Sequence, residues 1–182
     1  MFDAGNSKIV SIDDFSSMEE SVGAIASFKN EATELVTFLQ NQAYAESLAN
    51  LSKTFLLISN DNKKLYGYFS VSTSGIDRKS FKAPHGTTYP SVPAALIGRL
   101  GRDLNAKGHG VGEILLFEAL KQIVSISNFI GLKVILTDAK DNKAQAFYES
   151  YGFKAAKGQQ AGVHPFKLYL LIDVAKHAVA NY

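Results

Sequence analysis

The feature that most constrains the fold is a glycine-rich turn followed at once by an amphipathic helix pattern. The turn consists of Lys107-Gly108-His109-Gly110-Val111-Gly112. From Val111 to Ile126, apolar residues recur at the three- and four-residue spacing of a helix face. The preceding residues 94–100 are mostly aliphatic and predict a β-strand. The chain therefore runs from strand to glycine loop to helix.

This junction predicts an anion site. The first N–H groups of a helix have no partner within the helix, and the helix dipole places partial positive charge there. Glycine can adopt positive φ and lets the backbone approach a ligand closely. A pyrophosphate suits such a site, although glycines before a helix can also mark only a tight connection. A Walker loop is excluded because Glu113 follows Gly112. A Rossmann fingerprint is disfavoured because two helix patterns and a hairpin precede the turn.

The remaining segments predict an α/β fold with a mixed, mostly antiparallel sheet and helices on both faces. A hairpin is expected where residues 60–64 join two apolar runs. Residues 75–93 contain three prolines and predict a long surface loop. Ser16 or Ser17, followed by Glu19 and Glu20, resembles a helix start. The predicted strands are 8–12, 54–58, 65–72, 94–100, 133–137 and 164–171, and the predicted helices are 18–28, 31–49, 111–126 and 142–151.

Composition limits the class of protein. The chain has 182 residues, 46% of them hydrophobic, and no linker-like stretch, so residues 1–182 are predicted to form one domain with residues 173–182 as a C-terminal extension. No apolar run has the length of a bilayer span and the N-terminus has no export pattern, which predicts a cytoplasmic protein without membrane partners. Cysteine is absent, which excludes disulfides, thiolate metal sites and an acyl-cysteine intermediate. We predict no metal site.

Charge is distributed unevenly along the chain. The net charge is +2, yet residues 1–50 carry eight acidic and two basic side chains, so the later part is strongly basic. Such asymmetry permits a polyanion to contact the later part. The alternative is an ordinary mixed surface exposed to solvent.

A second motif follows at residues 144–153, Ala-Gln-Ala-Phe-Tyr-Glu-Ser-Tyr-Gly-Phe. Together with the glycine turn, it resembles the GNAT superfamily of acetyl-CoA-dependent N-acetyltransferases, whose loop pattern is Arg/Gln-x-x-Gly-x-Gly/Ala and whose later helix ends in Phe-Tyr-x-x-x-Gly-Phe. The resemblance implies a GNAT-like sheet of six to seven strands and acetyl-CoA as the cofactor. It also implies direct acetyl transfer to a primary amine.

The resemblance also implies roles for individual residues. Tyr148 stands where the family has its general acid, and a phenol is still protonated at neutral pH; the alternative is that Tyr148 only packs. Gly98 and Gly101 are unusual in a strand and fit a bulge or a close ligand approach. Lys107 replaces the family's Arg or Gln as a point cation. The residues assigned to cofactor binding are Leu100, Gly101, Arg102, Lys107, Gly108, His109, Gly110, Val111, Gly112 and Asp141.

Within the superfamily, the chain is most similar to the bacterial toxin-type enzymes of toxin–antitoxin pairs, which acetylate aminoacyl-tRNA. This rests on the Gly-Arg-Leu-x-x-Asp run at residues 98–103, on Asp141, and on residues 51–54 before the hairpin. It implies aminoacyl-tRNA and an antitoxin protein as partners, with a homodimer as a further expectation. Arg78, Lys79 and Arg99 are predicted to contact the acceptor.

No general base stands out. The candidates are His85, His109, His164, His177 and Glu34, and His109 is expected to face solvent within the loop. An α-amine with a pKa of about 7.7 is already partly neutral in the cell and needs less help than a lysine amine. Two alternatives stay open: a GNAT enzyme for a small-molecule or peptide amine, and a non-catalytic acyl-CoA-binding module. The presence of Tyr148 argues against the second.

Overall fold

The computed structural model describes residues 2–16, 21–82, 88–160 and 162–182. The α-helices are α1 (Ile12–Phe15), α2 (Ser21–Ala26), α3 (Thr33–Asn41), α4 (Ala43–Leu48), α5 (Val111–Ile126), α6 (Asn142–Ser150) and α7 (Ile172–Ala180). The strands are β1 (Ser7–Ser11), β2 (Lys53–Ser59), β3 (Leu65–Asp77), β4 (Ser91–Arg102), β5 (Val134–Ala139), β6 (Lys154–Ala155) and β7 (Phe166–Leu171). Short 3-10 helices cover Ala4–Asn6, Arg78–Ser80 and Leu104–Ala106.

The strands form a seven-stranded sheet in the order β1-β2-β3-β4-β5-β7-β6. The β1/β2, β2/β3, β5/β7 and β6/β7 pairs are antiparallel, whereas β4 and β5 are parallel. The prediction of a mixed, mostly antiparallel sheet is confirmed. No helix among the described residues is both long and apolar enough to pass through a bilayer.

The chain separates into two compact units. The first contains Met1–Ser72 and Arg99–Ala119, and the second contains Thr73–Gly98 and Leu120–Tyr182. In the first unit, apolar side chains of α1 to α4 pack against β2 and β3 around Tyr68, which is fully buried. The Tyr68 hydroxyl donates a hydrogen bond to the Leu35 carbonyl at 2.7 Å, so the buried phenol is satisfied. The division into two compact units does not test the prediction that residues 1–182 form one domain.

The second unit is built on the β4/β5/β7 part of the sheet. Val134 and Leu136 of β5 are fully buried and pack with Val92 and Ala94 of β4. Tyr169 of β7 contacts Phe81 edge to face, with ring centroids 5.5 Å apart. Parallel strands that are covered on both faces need continuous apolar runs, and the Val-Ile-Leu run of β5 provides one.

Two predicted helices were wrong in extent. The helix expected over residues 31–49 is interrupted at Gln42, whose φ of −126° ends α3 before α4 begins. Sequence periodicity missed this break because both pieces bury residues at compatible spacing. Of the helix expected over 18–28, the structure gives α2, while residues 17–20, including the expected start, lie outside the described residues. The short α1, capped by the Ser11 hydroxyl, was not predicted.

The long loop expected over residues 75–93 was also wrong in extent. Strand β3 continues to Asp77, and β4 already begins at Ser91. Ile76 and Phe81 are buried, which explains why this segment is held against the sheet. Residues 83–87, with Pro84 and His85, lie outside the described residues. The predicted tail forms most of α7, with Ala175 buried, and β6 was not predicted.

Candidate active site

The glycine turn has the open geometry that an anion site requires. Helix α5 begins at Val111, within the glycine turn, as predicted. Gly108 and Gly110 have φ of +80° and +72°, in the left-handed region that favours glycine. A Cβ atom built on either residue would meet nothing within 4 Å. The turn therefore presents bare backbone to open space beside the N–H groups of the first helical turn, and it could hold a diphosphate.

His109 lies inside this turn and is exposed, as predicted. Its Nδ1 lies 2.9 Å from the Lys107 carbonyl oxygen. Because a carbonyl can only accept, Nδ1 is the donor in this contact. This hydrogen bond holds the imidazole against the backbone of the turn. The contact does not indicate a role for His109 as a general base.

The Glu31 carboxylate forms ion pairs with Arg102 and Lys107, two of the residues predicted to bind the cofactor. Its Oε1 lies 3.1 Å from Arg102 Nη2 and 3.4 Å from Lys107 Nζ. The pKa of Glu31 is lowered to about 2, first by a backbone hydrogen bond and then by Arg102 and Lys107, while desolvation opposes the shift. The carboxylate is thus ionised at every pH near neutrality. Sequence reasoning missed Glu31, because it lies 71 residues from Arg102.

We predict that Glu31→Gln tightens binding of anionic ligands at the glycine turn. Removing the carboxylate charge leaves Arg102 and Lys107 less neutralised. Since all three side chains are partly exposed, acetyl-CoA affinity should rise only about two- to fivefold, less at high salt. Calorimetry at two salt concentrations measures this. Glu34→Gln, an exposed charge removal on α3, is the control, and equal tightening in both variants would contradict the prediction.

Strand β4 turns its residues toward α3 within the first unit. The Arg99 guanidinium lies 4.8 Å from the centre of the Phe38 ring, in cation–π geometry. A Cβ on Gly101 would lie 3.1 Å from Leu35 Cδ1 and 3.4 Å from Tyr68 Cε1. A side chain at Gly101 would crowd these two protein side chains, and the assignment of Gly101 to cofactor binding stays a prediction. Leu100, between them, is half-buried.

Tyr148 lies on α6 in the second unit and is buried, with 7% of its surface exposed. Phe147 and Phe153 contact its ring edge to face, with centroids 5.2 and 5.3 Å away. Burial raises the pKa of Tyr148, and a hydrogen bond with the Thr137 side chain acts in the opposite direction. The phenol therefore keeps its proton at neutral pH, which is the state that a general acid needs.

Asp141 is the N-cap of α6. Its Oδ1 accepts a hydrogen bond from the Ala144 N–H at 2.8 Å, which satisfies one of the free donors of the first turn. His164 lies at the same end of the helix, with Nε2 2.9 Å from Asn142 Oδ1 and Nδ1 3.2 Å from the Ala139 carbonyl. These contacts fix the start of the helix that carries Tyr148. A role for Asp141 in cofactor binding stays a prediction.

The predicted acceptor residues Arg78 and Lys79 form the 3-10 helix after β3, in the second unit. Both side chains are exposed, and Asp77 Oδ1 accepts the Lys79 N–H at 2.7 Å. Among the candidate bases, Glu34 and His177 are exposed on α3 and α7. His85 lies outside the described residues.

Comparison with known proteins identifies the family. Residues 19–164 match the model of the acetyltransferase (GNAT) domain. The chain belongs to the GNAT acetyltransferase family. GNAT acetyltransferases take the acetyl group from acetyl-CoA, whose diphosphate is the kind of anion that the open glycine turn fits.

Two curated GNAT relatives are toxins. The chain is 28% identical to the probable toxin TacT of Sinorhizobium fredii over 127 residues, which are 64% of this chain and 70% of the relative. It is 25% identical to the tRNA-acetylating toxin of Mycobacterium tuberculosis over 158 residues, which are 86% of this chain and 91% of the relative.

Solved structures support the GNAT fold. A tyrosine-to-phenylalanine mutant of KacT superposes with a TM-score of 0.83 at 21% identity, covering 95% of this chain and 99% of the other. AtaT complexed with acetyl-methionyl-tRNA superposes with a TM-score of 0.79 at 20% identity, with the same coverage.

Proposed function

We propose that this GNAT acetyltransferase is a bacterial toxin that transfers an acetyl group from acetyl-CoA to the α-amine of aminoacyl-tRNA. The observation that carries the proposal is its similarity to the tRNA-acetylating toxin of M. tuberculosis over 86% of the chain. The fold likeness to AtaT complexed with acetyl-methionyl-tRNA is consistent with it. The buried, protonated phenol of Tyr148 and the open glycine turn support the chemistry.

The glycine turn is proposed to bind the donor. Acetyl-CoA, when bound, supplies the acetyl group as an activated thioester. The N–H groups at the start of α5, with Gly108 and Gly110 free of side chains, bind the diphosphate. Lys107 and Arg102 add positive charge, which Glu31 partly neutralises. The backbone of residues 100–102 is proposed to lie along the acetyl arm.

Tyr148 is proposed to act as the general acid. Its Oη–H bond breaks as the proton passes to the departing sulfur, and the proton released by the acylated amine returns the phenol to its neutral form. The amide N–C bond forms as the thioester C–S bond breaks, and the proton goes to the thiolate that this cleavage releases. Because the conjugate acid of a thiolate has a pKa of about 8.5, below the value of about 10 for a phenol, the proton transfer must accompany the formation of the thiolate. The aromatic contacts of Phe147 and Phe153 keep water from the ring.

The acceptor needs little help from a base if it is an α-amine. With a pKa of about 7.7, such an amine is partly neutral at cellular pH, whereas a lysine amine at about 10.4 is almost wholly charged. Of the described candidate bases, Glu34, His109 and His177 are exposed, and the half-buried His164 contacts the Asn142 side chain and the Ala139 carbonyl at the start of α6. Arg78 and Lys79 are proposed to contact tRNA phosphates.

We predict that the purified protein acetylates charged tRNA and leaves uncharged tRNA unlabelled. Arg78→Glu with Lys79→Glu should lower transfer to charged tRNA by roughly ten- to a hundredfold and leave transfer to a small free amine nearly unchanged, because only the tRNA loses phosphate contacts. Transfer of labelled acetyl groups to both acceptors measures this, and the tRNA reaction should weaken steeply as salt rises.

The matched control reverses Lys63 and Lys64, an exposed pair in the turn between β2 and β3. An equal loss with that control would assign the effect to overall charge and contradict a site at Arg78 and Lys79. If every charged tRNA stays unlabelled while a small-molecule or peptide amine is acetylated, the alternative of an ordinary GNAT enzyme replaces the toxin proposal.

The cellular setting follows from the same proposal. A toxin that acts on aminoacyl-tRNA works in the cytoplasm, and its activity must be restrained. We therefore propose an antitoxin protein as a partner. Co-expression with the product of the neighbouring gene, followed by co-purification and loss of acetylation, tests this.

A further inference from the structure

Tyr89 is an exposed aromatic residue just before strand β4. Its side chain is 75% exposed, the largest exposed fraction of any tyrosine in the chain. The next residue is Pro90, and a residue before proline is restricted to extended backbone conformations. The Pro90 carbonyl accepts a hydrogen bond from the Arg78 N–H at 2.9 Å. The exposed ring is therefore carried on a backbone that is restricted in conformation and held against the 3-10 helix Arg78–Ser80.

Three cations lie in the same part of the second unit. Arg78 and Lys79 are exposed on the 3-10 helix, and the Lys157 N–H donates to the Ser80 carbonyl at 2.6 Å, so the exposed Lys157 belongs to the same surface. Asp77, at the start of the 3-10 helix, is the acidic residue of this segment. We call Arg78, Lys79, Tyr89 and Lys157 the Tyr89 patch. It joins an exposed aromatic ring to a surplus of positive charge.

The two kinds of side chain in the patch fit different parts of a single-stranded nucleic acid. Cations attract its phosphates, and an aromatic ring offers a face on which an unpaired base stacks. Bases in a duplex are already stacked on one another, so they leave no face for such a ring. A small anion would need no ring, and an apolar protein surface would need no cations. Single-stranded nucleic acid is therefore the partner that uses the whole patch.

The acceptor in the proposed function has such a strand, because the 3′ end of tRNA, to which the amino acid is attached, is unpaired. We propose that the Tyr89 ring stacks on an unpaired base of this 3′ end while Arg78, Lys79 and Lys157 contact neighbouring phosphates. The inference rests on the proposed function and adds to it the part of the tRNA that this surface recognises.

The kinetic test changes the ring and leaves the charge unchanged. Tyr89→Ala should raise the KM for charged tRNA about five- to fiftyfold, because one base stack is lost. The value of kcat at saturating tRNA and the KM for acetyl-CoA should change less than about twofold. Tyr89→Trp keeps an aromatic face and should retain the wild-type KM, whereas Tyr89→Leu should not. Tyr44→Ala, which removes an exposed ring from α4, is the matched control and should leave the KM unchanged.

A binding test needs neither acetyl-CoA nor an attached amino acid. Fluorescence anisotropy compares uncharged tRNA with the same tRNA lacking its unpaired 3′ nucleotides. The wild-type protein should bind the intact tRNA more tightly, and Tyr89→Ala should reduce this advantage about five- to fiftyfold. The dependence of affinity on salt should stay the same in Tyr89→Ala, because no phosphate contact is lost. In Lys79→Ala, the slope of log affinity against log salt should become shallower by about one.

The outcomes separate this inference from the proposed function. An unchanged KM for charged tRNA in Tyr89→Ala, or equal weakening for intact and trimmed tRNA, overturns the stack while acetylation of charged tRNA still supports the proposed function. A raised KM for acetyl-CoA alone would assign the ring to the adenine of coenzyme A and also overturn the inference. If the wild-type protein acetylates no charged tRNA, the proposed function is wrong and the inference fails with it.

Discussion

Gly110→Asp is expected to abolish acetyl-CoA binding while the protein stays folded. The added carboxylate would lie in the open space next to the first N–H groups of α5, where the diphosphate is proposed to bind. Losing charge-assisted hydrogen bonds to the diphosphate, with like-charge repulsion added, corresponds to roughly a hundredfold or greater loss of affinity. Calorimetric titration with acetyl-CoA measures this, and circular dichroism checks the fold.

Gly158→Asp provides the control for backbone strain and added charge. Gly158 has φ of +80°, and a Cβ there also meets nothing within 4 Å. An aspartate at either position therefore has the same backbone strain and the same room, but only Gly110 adjoins the start of α5. Unchanged acetyl-CoA affinity in folded Gly110→Asp, or equal losses of affinity in both variants, would contradict the assignment of the diphosphate to this turn.

Tyr148→Phe is expected to lower turnover by roughly two to four orders of magnitude. The change keeps the ring and its contacts with Phe147 and Phe153 but removes the proton at Oη. Acetyl-CoA affinity should change little. Because burial raises the pKa of Tyr148, the wild-type rate should show no alkaline loss from this group below a pH of about 10. Steady-state rates across pH, with binding measured separately, test both statements.

Tyr169→Phe is the matched control for loss of a buried hydroxyl. Tyr169 has the same exposed fraction as Tyr148, 7%, and also packs edge to face against a phenylalanine. Its variant should retain a rate near that of the wild type. If both variants lose activity equally, the effect comes from packing, and Tyr148 is a structural residue.

Gly110 and Tyr148 could be identified from the sequence because the motif that marks each residue is local. A glycine turn before an amphipathic helix, and a Phe-Tyr motif on a later helix, each lie within a short stretch of chain. The same locality explains why α5 and α6 were predicted nearly to their ends. Where the signal was not local the prediction was wrong, as at Gln42, where one expected helix is two.

The proline-rich segment shows a related limit. Three prolines between residues 75 and 93 predicted a surface loop, yet β3 runs on to Asp77 and Phe81 is buried. Prolines restrict their own backbone and that of the preceding residue, but they do not determine where a neighbouring apolar side chain is buried. Packing against Tyr169, 88 residues later, keeps Phe81 in the core.

The sequence by itself determined the family, the position of the glycine turn and the presence of a tyrosine acid candidate, because these depend on residue type and short spacing. Only the tertiary structure decided which groups act on those residues. Glu31 contacts Arg102 and Lys107 across 71 and 76 residues of chain, and the Thr137 hydroxyl donates to the Ile97 carbonyl across 40. A side chain at Gly101 would crowd Leu35 and Tyr68. Such contacts arise from the folded path of the backbone, which brings distant residues within hydrogen-bonding range, and no local pattern encodes them.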